Sequence, residues 1–309
     1  MKIAMMGSGG VGGFFGGRLA NAGYDVSFIA RGAHLAAMRE RGLTIENEAQ
    51  GDIRLPKVRV TDDPAALGRA DVVILSVKLW DTEAAAKQIR PLVGPGTGVL
   101  SLQNGVVKDD ILRREFGDAA VMGGVGYVAT TISKPGVIHQ TGTMQRIVLG
   151  EYDGRKSARA TFLHEALVRA GVNAELSGDV RKAIWEKYVF LVGLSATTTA
   201  MRMPIGPIRE NPQTRAFLLE LMRETVAVGR AHGVALPEDY AESRLAFADG
   251  LPPDMTSSMH HDLERGNPLE VNWLSGGVVQ LGQAAGVPTP ANRAVCDVLA
   301  LHAGGRNKI

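Results

Sequence analysis

The chain reads as an α/β protein, with a Rossmann-type doubly wound sheet at the N-terminus and an all-helical domain after it. Three observations predict this. Short β-branched apolar runs alternate with helical stretches through the first half. The first apolar run opens directly into a glycine-rich turn, Gly7-Ser8-Gly9-Gly10-Val11-Gly12, and then into a helix. Beyond Gly178 the strand texture stops and every later segment carries helical spacing. The expected domains are residues 1–178 and 179–309.

Each element follows from its residues. Lys2 to Met6 is a short apolar strand, and Val11 to Ala20 forms a helix with Phe14, Phe15 and Leu19 for packing. "DVSFIA" (Asp25 to Ala30) is a second strand, and "RGAHLAAMRERG" a short helix stopped by Gly42. A polar hairpin-like insert follows, "LTIENEAQGDIRLPKVRV", turning near Gln50-Gly51. "ADVVILSVK" (Ala70 to Lys78) has the β-branched character of a buried parallel strand. "DTEAAAKQIRPLV" is its return helix, and "GVLSLQNGV" the next strand running into a loop. Val121 to Gly150 reads as two or three strands broken at "SKPG", before the helix "SARATFLHEALVRAG" and a strand "VNAELS". The second half begins with the long helical run "DVRKAIWEKYVFLVGLSATTTAM" and continues as helices separated by breakers such as "RMPIGPIRENP".

The balance of charge excludes several functions. A formal net charge of +2, with 21% charged residues and 45% hydrophobic ones, makes no electrostatic case for nucleic acid or a membrane surface. No apolar run approaches the ~18–20 residues of a membrane span. The single cysteine, Cys296, excludes an intrachain disulfide and suits a reducing compartment. Its apolar helical surroundings predict a buried small hydrophobe rather than a catalytic thiol. With no signal or transit segment expected ahead of the first strand, the expected location is the cytoplasm. The seven histidines show no ligand spacing. His34, His164, His232 and His302 fall on ordinary helical segments, His139 in the strand region, and the adjacent His260 and His261 point to different faces. No metal is expected.

Strand, glycine turn and helix form the context in which GxGxxG binds a dinucleotide. Gly7 permits the turn, Gly9 lets a pyrophosphate approach the backbone, and Gly12 lets the helix pack closely. The N–H groups around Ser8, Gly10 and Val11 then face the anion. An NAD site usually carries a carboxylate at the end of the second strand for the ribose hydroxyls. Here that strand ends at Ala30-Arg31, and Arg31 offers a planar cation to a 2′-phosphate instead, which predicts NADP(H). Lys78 and Asn104 both stand at the carboxyl edge of strands, where open α/β sheets bind ligands. A surface lysine and an ordinary "NG" turn would look the same.

Taken together, the motifs resemble the ketopantoate reductases (2-dehydropantoate 2-reductases) over nearly the whole chain. "GSGGVGG", "ARGAHL", "SVKLWDT", "LQNGV", "IWEKYVFLVGLSATTTA", "SSMHHDLERGNPLEVNWLSG" and "AAGVPTPAN" occur in that family's order. The resemblance implies NADPH-dependent reduction of a 2-keto acid, with a Rossmann domain, a helical domain and an active site in the cleft between them. It implies Lys187 of "WEKY" as the catalytic lysine and Glu270 of "PLEVN" as the active-site glutamate. Ser258 matches a serine on the substrate carboxylate, Asn104 an asparagine near nicotinamide and substrate, and Arg31 and Lys78 residues around the NADP phosphate. Hydride transfer to a keto acid develops negative charge on oxygen, and a cation that also donates a proton answers both needs.

One departure bears on the substrate. Lys187, Leu191 and Ser195 share a helical face at i, i+4, i+8, and the family's usual asparagines at the last two positions are here leucine and serine. Ile205 stands where many members carry another asparagine, so a less polar pocket is expected, with Ser195 still able to hold a substrate oxygen. The chemistry stays, and the identity of the keto acid is opened. The leading reading is a ketopantoate reductase; a reductase of a more apolar 2-keto acid is the alternative. A catalytically silent NADP(H) sensor is a third reading, against which the retention of Lys187 and Glu270 argues. The apolar helical domain could also bury a homodimer interface.

Overall fold

The computed structural model describes residues 1–47 and 50–306, so Glu48 and Ala49 of the polar insert lie outside the described residues. The chain divides into two compact units. One holds residues 1–103 and 108–183; the other holds the short segment 104–107 and everything from residue 184 onward.

In chain order the first unit contains β1 (Lys2–Met6), α1 (Gly10–Asn21), β2 (Asp25–Ile29), α2 (Gly32–Arg41), β3 (Leu43–Glu46), β4 (Ile53–Leu55) and β5 (Arg59–Thr61). There follow β6 (Val72–Leu75), α3 (Thr82–Gln88), β7 (Gly98–Ser101), α4 (Lys108–Phe116), β8 (Val121–Lys134), β9 (Val137–Gly150), α5 (Ala158–Arg169) and β10 (Asn173–Leu176). Strands β5, β2, β1, β6, β7 and β8 pair in that order, all parallel.

Alternation along β1 explains why the sheet is covered on both faces. Ile3 and Met5 join one apolar core with Phe14, Phe15 and Leu19 of α1, while Ala4 and Met6 join another with Ala85 and Ala86 of α3. A strand buried on both faces has no place for polar side chains, and "VVIL" of β6 is wholly buried. That strand is shorter than expected, ending at Leu75 rather than Lys78. Lys78 therefore precedes a 3₁₀ turn, Leu79–Asp81, instead of ending a strand.

The far half of the sheet is mixed. "SKPG" breaks the Val121 to Gly150 stretch once, giving two 14-residue strands, β8 and β9, that pair antiparallel with register shifts near Thr130 and Ile132. Parallel pairings to β3 and β10 extend β9, and β4 closes the edge antiparallel to β3. Glu151, at the end of β9, is buried. Burial alone would raise its carboxyl pKa, but hydrogen bonds from Arg159 and Ser157 hold it below the ordinary range.

The second unit contains no strand among the described residues. Its helices are α6 (Val180–Met201), whose first turn belongs to the first unit, then α7 (Ile205–Glu210), α8 (Pro212–Ala231), α9 (Tyr240–Asp249), α10 (Ser258–Arg265), α11 (Ser275–Ala285) and α12 (Pro290–Leu299). Tyr188, Val189 and Val192 of α6 pack with Leu218, Leu221 and Met222 of α8 around one apolar core. Buried Glu224 accepts from the backbone N–H groups of Ala291 and Asn292 at 2.7 and 2.9 Å. It thereby places a carboxylate on the positive end of α12. Cys296 is half-buried rather than fully buried, because it lies at the margin of this core; burial pushes its thiol pKa up to about 11. No described helix is long and apolar enough to cross a membrane.

Candidate active site

The glycine turn between β1 and α1 is built by the absence of side chains. Gly7 adopts φ +91°, a left-handed conformation that favours glycine. A Cβ on Gly12 would run into the carbonyl oxygen of Gly7, so α1 packs this close only with glycine there. At Gly9, by contrast, an added Cβ would meet nothing within 4 Å, which leaves open space beside the turn. Gly9 is also the N-cap of α1 and supplies no capping side chain, so Gly10, Val11 and Gly12 begin a helix whose first N–H groups have no side-chain cap. An open backbone and a bare helix N-terminus fit the pyrophosphate of a dinucleotide.

Ser8 takes a different part from its neighbours. Its side chain is buried, and its hydroxyl donates to Ile29 O at 3.1 Å, tying the turn to β2. Any contact it makes with a cofactor is left to its backbone. His34, read from sequence as an ordinary helical residue, also holds this turn. Its Nδ1 accepts from Gly136 N–H at 3.0 Å, so the ring proton sits on Nε2 and donates to Ser8 O at 2.9 Å. Burial lowers its pKa, which favours that neutral tautomer, although the bond to Ser8 acts the other way. A histidine three residues into a short helix carried no signal of this role.

Arg31 is the N-cap of α2 and is largely exposed. It is not alone. Its Nη2 lies 2.9 Å from Asp81 Oδ2, so a carboxylate does stand at this place, brought by the turn after β6 rather than by β2. Lys78 lies on that same turn, with its Nζ 5.7 Å from the centroid of Trp80. Behind it, buried Gln103 donates from Nε2 to Thr82 Oγ1 at 2.8 Å and to Lys78 O at 3.3 Å. Gln103 thus joins the end of β7 to the turn that carries Lys78 and Asp81. Buried Lys108 fastens the same strand end, donating to Ser101 O at 2.9 Å and to Gly124 O at 3.2 Å, beside the carboxylate of Asp109.

In the second unit, α6 presents Lys187 half-buried, with its Nζ donating to Asn104 Oδ1 at 2.9 Å. Residues 83 positions apart in sequence are joined by that bond, and the segment 104–107 that bears Asn104 belongs with the helices rather than with the sheet it leaves. Leu191 is half-buried one turn on, and Ser195 is buried with no hydrogen-bond partner for its hydroxyl among the described residues. Ile205 departs from the expected pocket wall. It is wholly buried in the helical core, so its polarity bears on packing rather than on an accessible surface. Glu270 is buried and begins a 3₁₀ turn, Glu270–Asn272, not an α-helix. Ser258 is exposed as the first residue of α10. Its neighbour Ser257 is the cap, accepting from His260 N–H at 3.1 Å.

Comparison with known proteins identifies the family. Residues 3–154 match the model of the family described as ketopantoate reductase PanE/ApbA, and residues 179–303 match the model of that family's C-terminal part. A 2-dehydropantoate 2-reductase of Mesorhizobium japonicum is 33% identical, covering 96% of this chain and 95% of its own. The crystal structure of a PanE/ApbA family ketopantoate reductase from Ralstonia eutropha superposes with a TM-score of 0.89 at 36% identity, covering 98% of both chains. A D-mandelate dehydrogenase solved with NADH and anilino(oxo)acetate shares the fold, with a TM-score of 0.89 at 21% identity over 98% of both chains. The chain belongs to the ketopantoate reductase family, oxidoreductases that act on a keto acid with a nicotinamide cofactor.

Proposed function

We propose that this protein reduces the 2-keto group of 2-dehydropantoate to pantoate with NADPH, a step of pantothenate biosynthesis. The bound cofactor would supply the hydride. Everything else falls to the chain. The observation that carries the reading is the half-buried Lys187 ammonium held by Asn104 at 2.9 Å. A hydrogen bond to an amide oxygen aims the ammonium, a cation with three N–H donors. One of them donates to the keto oxygen, stabilising the charge that grows there, and its proton passes to the new alkoxide. Buried Glu270 is the second ionisable group proposed for the site. Ser258 and the unpartnered hydroxyl of Ser195 are proposed to receive substrate oxygens. Gly7 to Gly12 would hold the pyrophosphate, with Arg31 and Lys78 on the 2′-phosphate. The domain limits 1–178 and 179–309, and a cytoplasmic location, go with this reading.

Leu191 favours a second substrate class, a more apolar branched 2-keto acid, because an aliphatic side chain offers nothing to a terminal hydroxyl. Steady-state NADPH oxidation by the purified protein, with ketopantoate and a panel of 2-keto acids of similar size, tests both. Turnover of ketopantoate with the highest kcat/KM supports the proposal. A higher value for an analogue without the hydroxyl transfers the assignment to the apolar class, and no turnover of any keto acid returns the protein to a binding role.

A further inference from the structure

We propose that Asp81 is a specificity-determining residue that moderates the preference for NADPH over NADH. The inference rests on the reading of Arg31 as the 2′-phosphate ligand. Asp81 ends the 3₁₀ turn after β6, and its backbone N–H is bonded to Lys78 O at 3.0 Å, which fixes the turn. It stands at the N-cap position of α3, yet its carboxylate makes no capping hydrogen bond to that helix. The carboxylate is directed instead to Arg31, with Oδ2 2.9 Å from Nη2. The Arg31 side chain is 86% exposed and that of Asp81 28%. With the guanidinium this open to water, the pair adds little to stability.

Its consequence lies in recognition. A dianionic 2′-phosphate drawn to Arg31 must share the guanidinium with a carboxylate already in contact with it, and like charges at that range repel. A 2′-hydroxyl in the same place meets a hydrogen-bond acceptor instead, the service a carboxylate at the end of β2 performs in NAD sites. Asp81 thus opposes the phosphate and accepts the hydroxyl, from a segment some 50 residues away from Arg31 in sequence.

Dissociation constants for NADPH and NADH, measured by titration on wild type, Asp81→Asn and Asp81→Glu at low and high salt, test this. Asp81→Asn should tighten NADPH by roughly three- to tenfold at low ionic strength and leave NADH unchanged or slightly weaker. The gain should shrink as salt screens the charges, and Asp81→Glu should restore the wild-type ratio. Equal shifts for both dinucleotides, or an unchanged NADPH constant, would overturn the proposal, since a structural role alone moves both together. A wild type that binds NADPH no more tightly than NADH counts against the cofactor assignment. The change in ratio on Asp81→Asn still decides the part played by Asp81.

Discussion

The sheet unit and the helical unit offer their proposed sites in opposite ways. In the first, the turn from Gly7 to Gly12 works by lacking side chains: a left-handed Gly7, a Gly12 pressed on its carbonyl, and open space at Gly9. In the second, the role proposed for Lys187 belongs to a side chain, whose ammonium donates to the Asn104 amide oxygen at 2.9 Å. A backbone site tolerates no added atom at its closest contact, whereas a side-chain site tolerates many changes around it but not the loss of one group. The two units therefore fail differently when altered, and the variants below probe that difference.

The largest effect is expected at Lys187. Lys187→Met keeps the length and apolar packing while removing donor and charge, and kcat should fall by about 10²–10⁴, the usual worth of general acid catalysis. A kcat within about threefold of wild type would make Lys187 a packing residue. Gly12→Ala comes next. The new methyl must push α1 off the Gly7 carbonyl, an overpacking that costs about 1–3 kcal/mol, and NADPH affinity should fall with the melting temperature. Unchanged affinity and stability would mean the turn adapts freely.

Arg31→Ala should weaken NADPH by roughly one to two orders of magnitude, from the loss of about 1.5–3 kcal/mol of charged hydrogen bonding, and leave NADH nearly untouched. Equal weakening of both dinucleotides would mark Arg31 as structural. The smallest change in rate belongs to Leu191→Asn, which returns an amide to the face below Lys187. It should raise the kcat/KM preference for ketopantoate over its analogue lacking the hydroxyl by about tenfold, with little effect on kcat for the analogue. No change in that preference would remove Leu191 from the pocket.

The same contrast explains what could be read from the sequence. Backbone requirements leave local marks: the spacing Gly7, Gly9, Gly12 after a strand announces the turn, and the β-branched run "VVIL" announces a doubly covered sheet. Only the longer motif around it singles out Lys187 in the sequence, because a lysine in an apolar helix looks the same whether it snorkels or meets a substrate. Its hydrogen bond to Asn104 crosses most of the sheet unit in sequence, and no local pattern encodes it. The contacts of Asp81 and His34 have no local mark for the same reason. Each acts on a residue brought near by strand order, Arg31 in one case and Ser8 in the other. Ile205 shows the converse error, since an apolar residue at a family's polar position was read as a pocket wall when it lies in the core.

The most direct test of this division of labour is the NADPH dissociation constant of Lys187→Met, measured beside its kcat. Affinity should stay within about twofold of wild type while turnover collapses, as expected if the lysine serves the keto acid and the glycine turn with Arg31 serves the dinucleotide. A loss of NADPH affinity of tenfold or more, in step with the loss of turnover, would contradict it.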